Sequence, residues 1–214
     1  MAIENNTEPH PKAETILDAA ERLFVRYGYR KSSMDDVARE AGTAKGTVYL
    51  HYAGKEALFR ALLERIGSTV LQTSNAAAAA EQPLAERLFG VLNAFYGYFY
   101  ERFSESGHLQ ELGEIRDNLG QDLNEQLRLN HLQILVDLLS QAEVDGDIAL
   151  ASKGLSANDV ASTLIAAAIG VRTTIPVGAG TKAYVEALRQ TSRVLSSALA
   201  ITCHLPRVAN PAPG

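Results

Sequence analysis

Cysteine, long apolar runs and strongly basic segments are scarce in this sequence, and each scarcity excludes a class of protein. The single Cys203 can form neither an intrachain disulfide nor a cysteine cluster for a metal ion. No run approaches the roughly eighteen apolar residues that a membrane-spanning helix needs. The polar residues 1–14 lack the apolar core of a signal peptide. We therefore expect a cytoplasmic protein without membrane contact.

The patterns that mark enzymes and metal sites are missing as well. The sequence has no glycine-rich phosphate loop, no metal-ligand spacing and no nucleophile within a recognisable motif. The carboxylates scattered between Glu111 and Asp122 are interpreted as the solvated face of a helix, and Asp145-Gly146-Asp147 lacks the other ligand positions of a calcium loop. We expect no enzymatic activity, metal or cofactor. An all-helical enzyme is the alternative that a screen for turnover would detect.

The net charge of −5 is unevenly distributed along the chain. Residues 1–66 contain ten Lys or Arg and ten Asp or Glu, whereas residues 67–214 contain ten and fifteen. The acidity therefore belongs to the second part of the chain, and basic side chains of the first part need only cluster on one face to meet phosphates. Since no strongly basic arm is present, we expect modest affinity for DNA of unrelated sequence.

Two short helical patterns follow one another in the first third of the chain. The first begins after Ser33, which can cap a helix with Asp36 at the spacing of a capping box. It ends near Gly42, a residue that suits the left-handed conformation after a last helical turn. The second runs from Lys45 to Tyr52. Two short helices joined by a turn that contains glycine are typical of a helix-turn-helix, whose second helix lies in the DNA major groove.

The second of these helices carries side chains that suit contact with DNA. Val48 is its inward apolar anchor, and Gly46 lets the helix backbone come close to whatever it docks on. The side chains that can meet phosphates or bases are Lys45, Thr47, Tyr49, His51 and Tyr52. The alternative is a helical hairpin with a solvated polar face. The flanking sequence favours DNA binding, because apolar spacing predicts one helix over Thr15–Tyr27 and another from Lys55 onward.

The stretch from Ile16 to Leu62 resembles the DNA-binding domain of the tetracycline-repressor-like (TetR) family of bacterial transcription regulators. The matching pieces, in order, are ILDAAERLFVRYGYRKSSMDDVAREAG, KGTVYLHY and KEAL. The resemblance implies an all-α chain with an N-terminal helix-turn-helix domain and a C-terminal helical domain for ligand binding and dimerisation. We place these domains at residues 12–60 and 61–205, with flexible tails over 1–11 and 206–214. The resemblance also implies repression that a small molecule relieves.

The functional residues of the family carry over position by position. The residues that match its recognition helix are Lys45, Gly46, Thr47, Tyr49 and His51. Lys55 matches a lysine that contacts a phosphate, and Ser33 matches a capping residue that touches the DNA backbone. Two positions depart from the pattern, since Ala44 and Gly54 stand where hydroxyl or amide side chains usually cap the recognition helix and the next helix. Thr43 is the candidate to replace the missing cap, and it joins Ala44 among the predicted DNA contacts.

Past residue 83 the sequence predicts helices and no strand. Apolar spacing places helices over residues 84–103, 108–118, 121–143, 157–173 and 182–202. The breaks between them fall at Gly120 and at Gly178-Ala-Gly180, and Ser156 with Asp159 repeats the spacing of a capping box. The second part of the chain is therefore predicted to be a helical bundle.

The stretch Asn93–Phe103 holds more aromatic side chains than a single apolar stripe of a helix can turn inward. A wide apolar cavity with a few polar groups would use them, whereas ordinary packing against neighbouring helices is the alternative. The candidate ligand-binding residues are Phe95, Tyr96, Phe99, Tyr100, Phe103, Arg116, His131, Ile165, Ile169 and Arg172.

The last two predicted helices are rich in alanine, leucine and serine, and their small residues allow helices to approach closely. In the resembling family such helices form a four-helix bundle between two copies. A twofold dimer places its recognition helices about 34–36 Å apart, on successive major grooves. The candidate interface residues are Val160, Leu164, Ala168, Val171, Leu188, Leu195, Ala198 and Leu199. A helical hairpin within a monomer is the alternative.

Together these patterns predict a regulator that binds a palindromic DNA operator as a homodimer and releases it when a small molecule binds the C-terminal domain. The ligand would bias the helix that begins at Lys55 and joins both domains, and would thereby change the separation of the recognition helices. The alternative is a ligand- or protein-binding helical module whose DNA-binding half is idle. Only the missing cap at Ala44 favours that alternative.

Overall fold

The structure, a computed structural model, describes residues 11–103, 106–176 and 179–200. Its first four helices are α1 Pro11–Tyr27, α2 Met34–Glu40, α3 Lys45–His51 and α4 Lys55–Ala78. The following elements are α5 Leu84–Leu92, a π-helical turn Asn93–Gly97, α6 Tyr98–Phe103, α7 Leu109–Leu119, α8 Gln121–Val144, a 3-10 turn Ala151–Lys153, α9 Ala157–Thr174 and α10 Gly180–Leu199. The described residues form no strand beyond one isolated bridge, so the predicted all-α class is confirmed. Of the predicted tail 1–11, residues 1–10 lie outside the described residues, whereas Pro11 is the first residue of α1. The tail 206–214, Gly178, the predicted helix end at residue 202 and Cys203 also lie outside the described residues.

The first of two apolar cores joins α1 to α4. Three aromatic rings, those of Phe24, Tyr29 and Phe59, meet at its centre with centroids 5.1–5.8 Å apart, a spacing at which tilted and edge-on rings attract. Phe95 from the π-helical turn and Leu112 from α7 complete this core. Residues beyond position 60 therefore help to hold the helix-turn-helix together.

The second core packs α5, α8, α9 and α10 against one another. Its members are mostly leucine and alanine, and its largest fully buried side chain is Tyr184 of α10. The Tyr184 hydroxyl donates a 3.0 Å hydrogen bond to the carbonyl of Ala168 in α9, which satisfies a polar group that burial would otherwise penalise. This bond ties the last two helices together inside one chain.

Arginines on α4 fasten that helix to both parts of the molecule. The Arg65 guanidinium binds carboxylates of α1 from Glu14, Asp18 and Glu21, with N–O distances of 2.6–3.1 Å. Five residues earlier, Arg60 binds both carboxylate oxygens of Asp122 in α8, and this arrangement lowers the pKa of Asp122 to about 2. Helix α4 is therefore connected to the DNA-binding region and to the C-terminal bundle.

The largest departures of the observed helices from the predicted ones occur in two places. Helix α1 begins at Pro11, four residues before the predicted start, because the first turn of a helix tolerates proline. The predicted continuous helix over 84–103 is interrupted by the π-helical turn, where the Asn93 side chain occupies the space that a Cβ at residue 97 would need. Gly97 permits that arrangement, since it carries no side chain.

Candidate nucleic-acid interface and ligand cavity

The helix-turn-helix forms as its local sequence predicts. The Ser33 hydroxyl accepts a hydrogen bond from the backbone N–H of Asp36, and the Asp36 carboxylate accepts one from the Ser33 backbone, so both halves of the capping box are present. Gly42 ends α2 with a φ of +63°, the left-handed conformation that glycine favours. Helix α3 then packs on the domain through the fully buried Val48. The N-terminus of α3 carries no side-chain cap at Ala44.

The outer face of α3 is open to solvent. Lys45, Gly46 and Tyr49 are exposed, and a Cβ added at Gly46 would meet nothing within 4 Å. The fold itself therefore does not require glycine at position 46. Leu50 is 82% exposed, and it was absent from the predicted DNA contacts although its two-residue spacing from Val48 could have identified it.

The charged groups beside α3 are solvated and paired. The Lys45 ammonium lies 2.7 Å from the Asp35 carboxylate of α2 and 5.9 Å from the centre of the Tyr49 ring. The hydrogen bond and the charge of Asp35 raise the pKa of Lys45, so this side chain stays cationic. Because both partners are exposed, the pair is weak enough for a phosphate to compete for the ammonium.

The predicted DNA contacts divide into an outer group and an inner group. The outer group lies on or next to the open face of α3 and comprises Thr43, Ala44, Lys45, Gly46, Thr47 and Tyr49. Ser33 is exposed at the start of α2, and His51 is half-buried with its ring 6.3 Å from that of Tyr52. Tyr52 belongs to the inner group, because its hydroxyl donates to the Ala13 carbonyl of α1 at 3.3 Å.

Lys55 also points inward. Its ammonium donates to the backbone carbonyls of Tyr29 at 3.0 Å and Ser32 at 2.9 Å, approaches that of Arg30 at 3.5 Å and lies 4.3 Å from the centre of the Tyr29 ring. Burial lowers the pKa of Lys55, and the nearby Glu111 carboxylate opposes that shift. In this structure Lys55 therefore fixes the segment that leads into α2.

A cavity of about 490 Å³ lies between the helix-turn-helix and the C-terminal bundle. This volume falls within the range of pockets that bind small organic molecules, roughly 300–1,000 Å³. Helices α1 and α4 form one wall, and the π-helical turn, α6, α7, α8, α9 and α10 form the others. The cavity is lined by Glu21, Phe24, Val25, Phe59, Leu62, Leu63, Ile66, Phe95, Tyr96, Phe99, Tyr100, Phe103, Leu109, Leu112, Gly113, Arg116, Asn124, Ile169, Arg172, Ile175, Pro176 and Tyr184.

Seven of the 22 residues that line this cavity carry a polar side chain, and the other fifteen are apolar or glycine: the polar ones are Glu21, Tyr96, Tyr100, Arg116, Asn124, Arg172 and Tyr184. The Glu21 carboxylate is bound by Arg65 and Arg102, each at 2.9 Å, so its charge is already compensated. Arg116 pairs with its neighbour Asp117 at 2.9 Å. Burial raises the pKa of Tyr96 to about 12, which keeps its hydroxyl protonated as a hydrogen-bond donor. The cavity therefore suits an apolar molecule with a small number of polar atoms.

Eight of the ten predicted ligand-binding residues line the cavity, and His131 and Ile165 do not. His131 lies behind the wall, with its ring 4.4 Å from that of Phe95 and 5.6 Å from that of Tyr96. Both ring nitrogens of this buried residue lack a hydrogen-bond partner, and burial lowers its pKa to about 4. Ile165 packs against the second core instead.

The predicted dimer contacts on α9 and α10 need correction. Five of them are buried within the second core of the chain itself, so their assignment to a dimer interface was wrong: Val160, Leu164, Ala168, Leu188 and Leu199. Val171 and Leu195 pack against the same core, and only Ala198 is exposed. The most apolar stripe of each helix faces inward because the intrachain core gains most from its burial. The exposed face that a second copy could meet consists of Ser162, Ala166, Gly170 and Thr173 on α9 and Gln190, Val194, Ser197 and Ala198 on α10.

Neither a metal cluster nor a membrane-spanning helix is present among the described residues. Within residues 11–103, 106–176 and 179–200, no group of three or more His, Cys, Asp or Glu side chains is arranged to hold a metal ion. The helices within these ranges lack the combination of length and hydropathy that a membrane span requires.

Comparisons with known proteins agree with this geometry. A family model described as bacterial regulatory proteins, tetR family, matches residues 16–62. The A-factor receptor protein of Streptomyces griseus is 39% identical over 56 residues, which cover 26% of this chain and 20% of that protein, so the chain spans a fifth of the length of this relative. The fatty acid metabolism regulator protein of Bacillus subtilis (strain 168) is 26% identical over 142 residues, 66% of this chain and 73% of that one.

A solved structure extends the similarity over nearly the whole chain. SmeT, the repressor of the Stenotrophomonas maltophilia multidrug efflux pump SmeDEF, superposes with a TM-score of 0.64 and 21% identity, covering 94% of this chain and 97% of SmeT. At this identity the superposition shows a shared fold. Residues 16–62 therefore match the tetR family of bacterial regulatory proteins, and the chain shares the fold of SmeT.

Proposed function

We propose that this chain is a ligand-responsive transcriptional regulator, a repressor that leaves a palindromic DNA operator when a small molecule fills its cavity. The main support for this proposal is that the cavity is lined by helices from both parts of the molecule. Side chains of α1 and α4, which hold the helix-turn-helix, face the same space as side chains of α6, α7 and α9. A ligand there contacts both parts of the molecule at once. The similar protein SmeT is named as a repressor, which supports the same sign of regulation here.

On the DNA side, the open face of α3 enters the major groove. Gly46 presents bare backbone to the groove, while Lys45 exchanges Asp35 for a phosphate. Thr47 and Tyr49 flank this position and supply hydroxyls for bases or phosphates. Ser33 and His51 stand beside the groove at the two ends of the motif.

On the ligand side, the effector is an apolar small molecule. Phenylalanine and tyrosine rings of the π-helical turn and α6 enclose its body, and Tyr96, Arg116 and Arg172 contact its polar atoms. A molecule in this space separates α7 from α1 and α4, and this movement favours a conformation with lower affinity for DNA. Operator release then follows from the difference in the affinity of the ligand for the two conformations.

Two copies associate through the exposed faces of α9 and α10. Small side chains there, with Gly170 open to solvent, allow close approach of helices from a second copy. The resulting twofold symmetry matches a palindromic operator, with recognition helices about 34–36 Å apart. The regulator works in the cytoplasm, where it reaches DNA.

The experiment selects duplexes from a random pool with the full chain and measures the affinity of the best duplex between 50 and 200 mM salt. We expect a palindromic sequence and an affinity that falls by about 10³-fold or more over this range, because phosphate contacts release counterions. The Gly46→Ala variant is the matched control. It should keep or gain stability, since alanine favours a helix by about 1 kcal/mol over glycine, and should lose affinity because its methyl group meets the groove.

The second candidate is a ligand-binding module with an idle DNA-binding half, favoured by the uncapped start of α3 at Ala44. The same experiment separates the two. If no sequence is enriched and the affinity for DNA is independent of salt, the chain is not a DNA-binding regulator. The ligand-binding module would then be the remaining candidate.

A further inference from the structure

Helix α3 presents an apolar ridge to solvent directly opposite its buried anchor. Successive residues of an α-helix are rotated by about 100°, so the positions two before and two after Val48 lie roughly 200° away from it. These positions are Gly46 and Leu50. Val48 is fully buried and Leu50 is 82% exposed, as this geometry requires. The ridge is therefore the part of α3 that projects furthest from the domain.

Nothing on this ridge can form a side-chain hydrogen bond. Glycine has no side chain, and the leucine side chain has neither donor nor acceptor, so Leu50 can bind neither a phosphate nor the polar edge of a base. The major groove displays one prominent apolar group, the C5-methyl of thymine. Leu50 is also the most exposed large hydrophobic side chain among the described residues, and no other part of the described chain covers it.

We propose that Leu50 is a specificity-determining residue that packs on the C5-methyl group of a thymine in each operator half-site. The proposal rests on the proposed DNA-binding function. Gly46, one turn earlier on the same ridge, lets the backbone of α3 approach the bases closely enough for Leu50 to reach the methyl group. Thr47 and Tyr49 then flank the contact and exclude water from it.

The test uses the operator selected with the full chain and replaces its thymines, one symmetric pair at a time, by deoxyuridine, which lacks only the methyl group. For the wild type, we expect replacement of one symmetric pair of thymines to lower the affinity for the operator. This replacement should weaken binding about fourfold per half-site, the effect of removing one buried methyl group. Leu50→Ala should bind the thymine operator more weakly than the wild type does and should be insensitive to deoxyuridine at that pair.

Two further variants make the result specific. Leu50→Met keeps an apolar side chain of similar length and should retain the sensitivity to deoxyuridine. Val144→Ala removes a side chain that is 80% exposed on α8 and should behave like the wild type. The proposal is overturned if no deoxyuridine pair weakens wild-type binding. It is also overturned if deoxyuridine at every pair lowers the affinity of Leu50→Ala by the same factor as that of the wild type. Failure of the wild type to bind any duplex would instead overturn the DNA-binding function itself.

Discussion

The backbone N–H of Arg30 donates a 2.6 Å hydrogen bond to the carboxylate of Glu111, which lies 81 residues further along the chain. The Arg30 guanidinium also binds Glu114 of the same helix at 3.2 Å. Helix α7 thus holds the segment that leads into α2 with one face, while Leu112 and Gly113 line the cavity on another. This arrangement offers a short route from the cavity to the helix-turn-helix.

Gly28→Ala should loosen this connection. Gly28 has a φ of +85°, and an added Cβ would lie 2.5 Å from Oε2 of Glu111. The added Cβ would also lie 2.9 Å from Nδ1 of His108, so both side chains must move. Movement of Glu111 disturbs its bond to the Arg30 N–H, and complete loss of that bond would cost about 1–3 kcal/mol. Left-handed backbone at an alanine costs about 1–2 kcal/mol more. We expect the free energy of unfolding, measured in urea, to fall by the sum of these two costs.

Gly42→Ala is the matched control for that prediction. Gly42 has a φ of +63° and nothing within 4 Å of an added Cβ, so it should show the backbone cost alone. Equal losses in the two variants would show that the contact with Glu111 contributes nothing to stability.

Lys55→Ala should weaken binding to all DNA sequences without changing the salt dependence. The Lys55 ammonium binds the carbonyls of Tyr29 and Ser32 in this structure, so its removal disorders the segment before α2. We expect a lower melting temperature and an unchanged slope of log affinity against log salt. If the slope is instead reduced by about one unit and stability is normal, Lys55 contacts a phosphate, as predicted from the family resemblance.

Local patterns predicted local structure, and contacts between distant segments had no signal in the sequence. The capping box at Ser33 involves residues three apart, so its spacing was sufficient. The aromatic excess near Phe99 predicted a cavity wall. Apolar periodicity also identified Phe24 and Phe59 as inward-facing, but it could not show that the space they face is a cavity. The dimer prediction failed at Leu164 and Leu188 because one helix can bury two faces, and its most apolar stripe faced the chain's own core.

His131 should make the protein less stable as the pH falls from about 6.5 to 4. Its pKa is lowered to about 4 in the folded chain, so between these values the unfolded chain binds a proton that the folded chain excludes. Stability therefore rises with pH across this window, by about 3 kcal/mol in total. Asp36 and Asp159, whose hydrogen bonds to Ser33 and Ser156 lower their pKa values, act only at lower pH.

His131→Phe should abolish that dependence while keeping ring contacts with Phe95 and Tyr96. Unfolding in urea at pH 7, 5.5 and 4.5 compares the two proteins. Parallel curves for the wild type and the variant would show that His131 is not the group responsible.

Val194→Glu should separate the dimer into monomers. Val194 is 61% exposed on the proposed interface face of α10, and two buried carboxylates without partners would oppose association. Val144→Glu, at an 80% exposed position on α8, should leave the dimer intact. Sedimentation equilibrium measures both masses. If the Val194→Glu variant remains dimeric, the dimer interface lies on another face of the chain.

Ligand-induced release of DNA is tested by the affinity of the wild type for its selected operator with and without a cavity ligand. A thermal-shift screen of apolar compounds supplies the ligand. Weaker binding of this ligand to the Phe99→Ala variant would show that it occupies the cavity. Saturation with this ligand should weaken operator binding by about 5–150-fold, the usual range of allosteric coupling. The operator should weaken ligand binding by the same factor. An operator affinity that is unchanged at saturating ligand would show that the cavity does not control DNA binding.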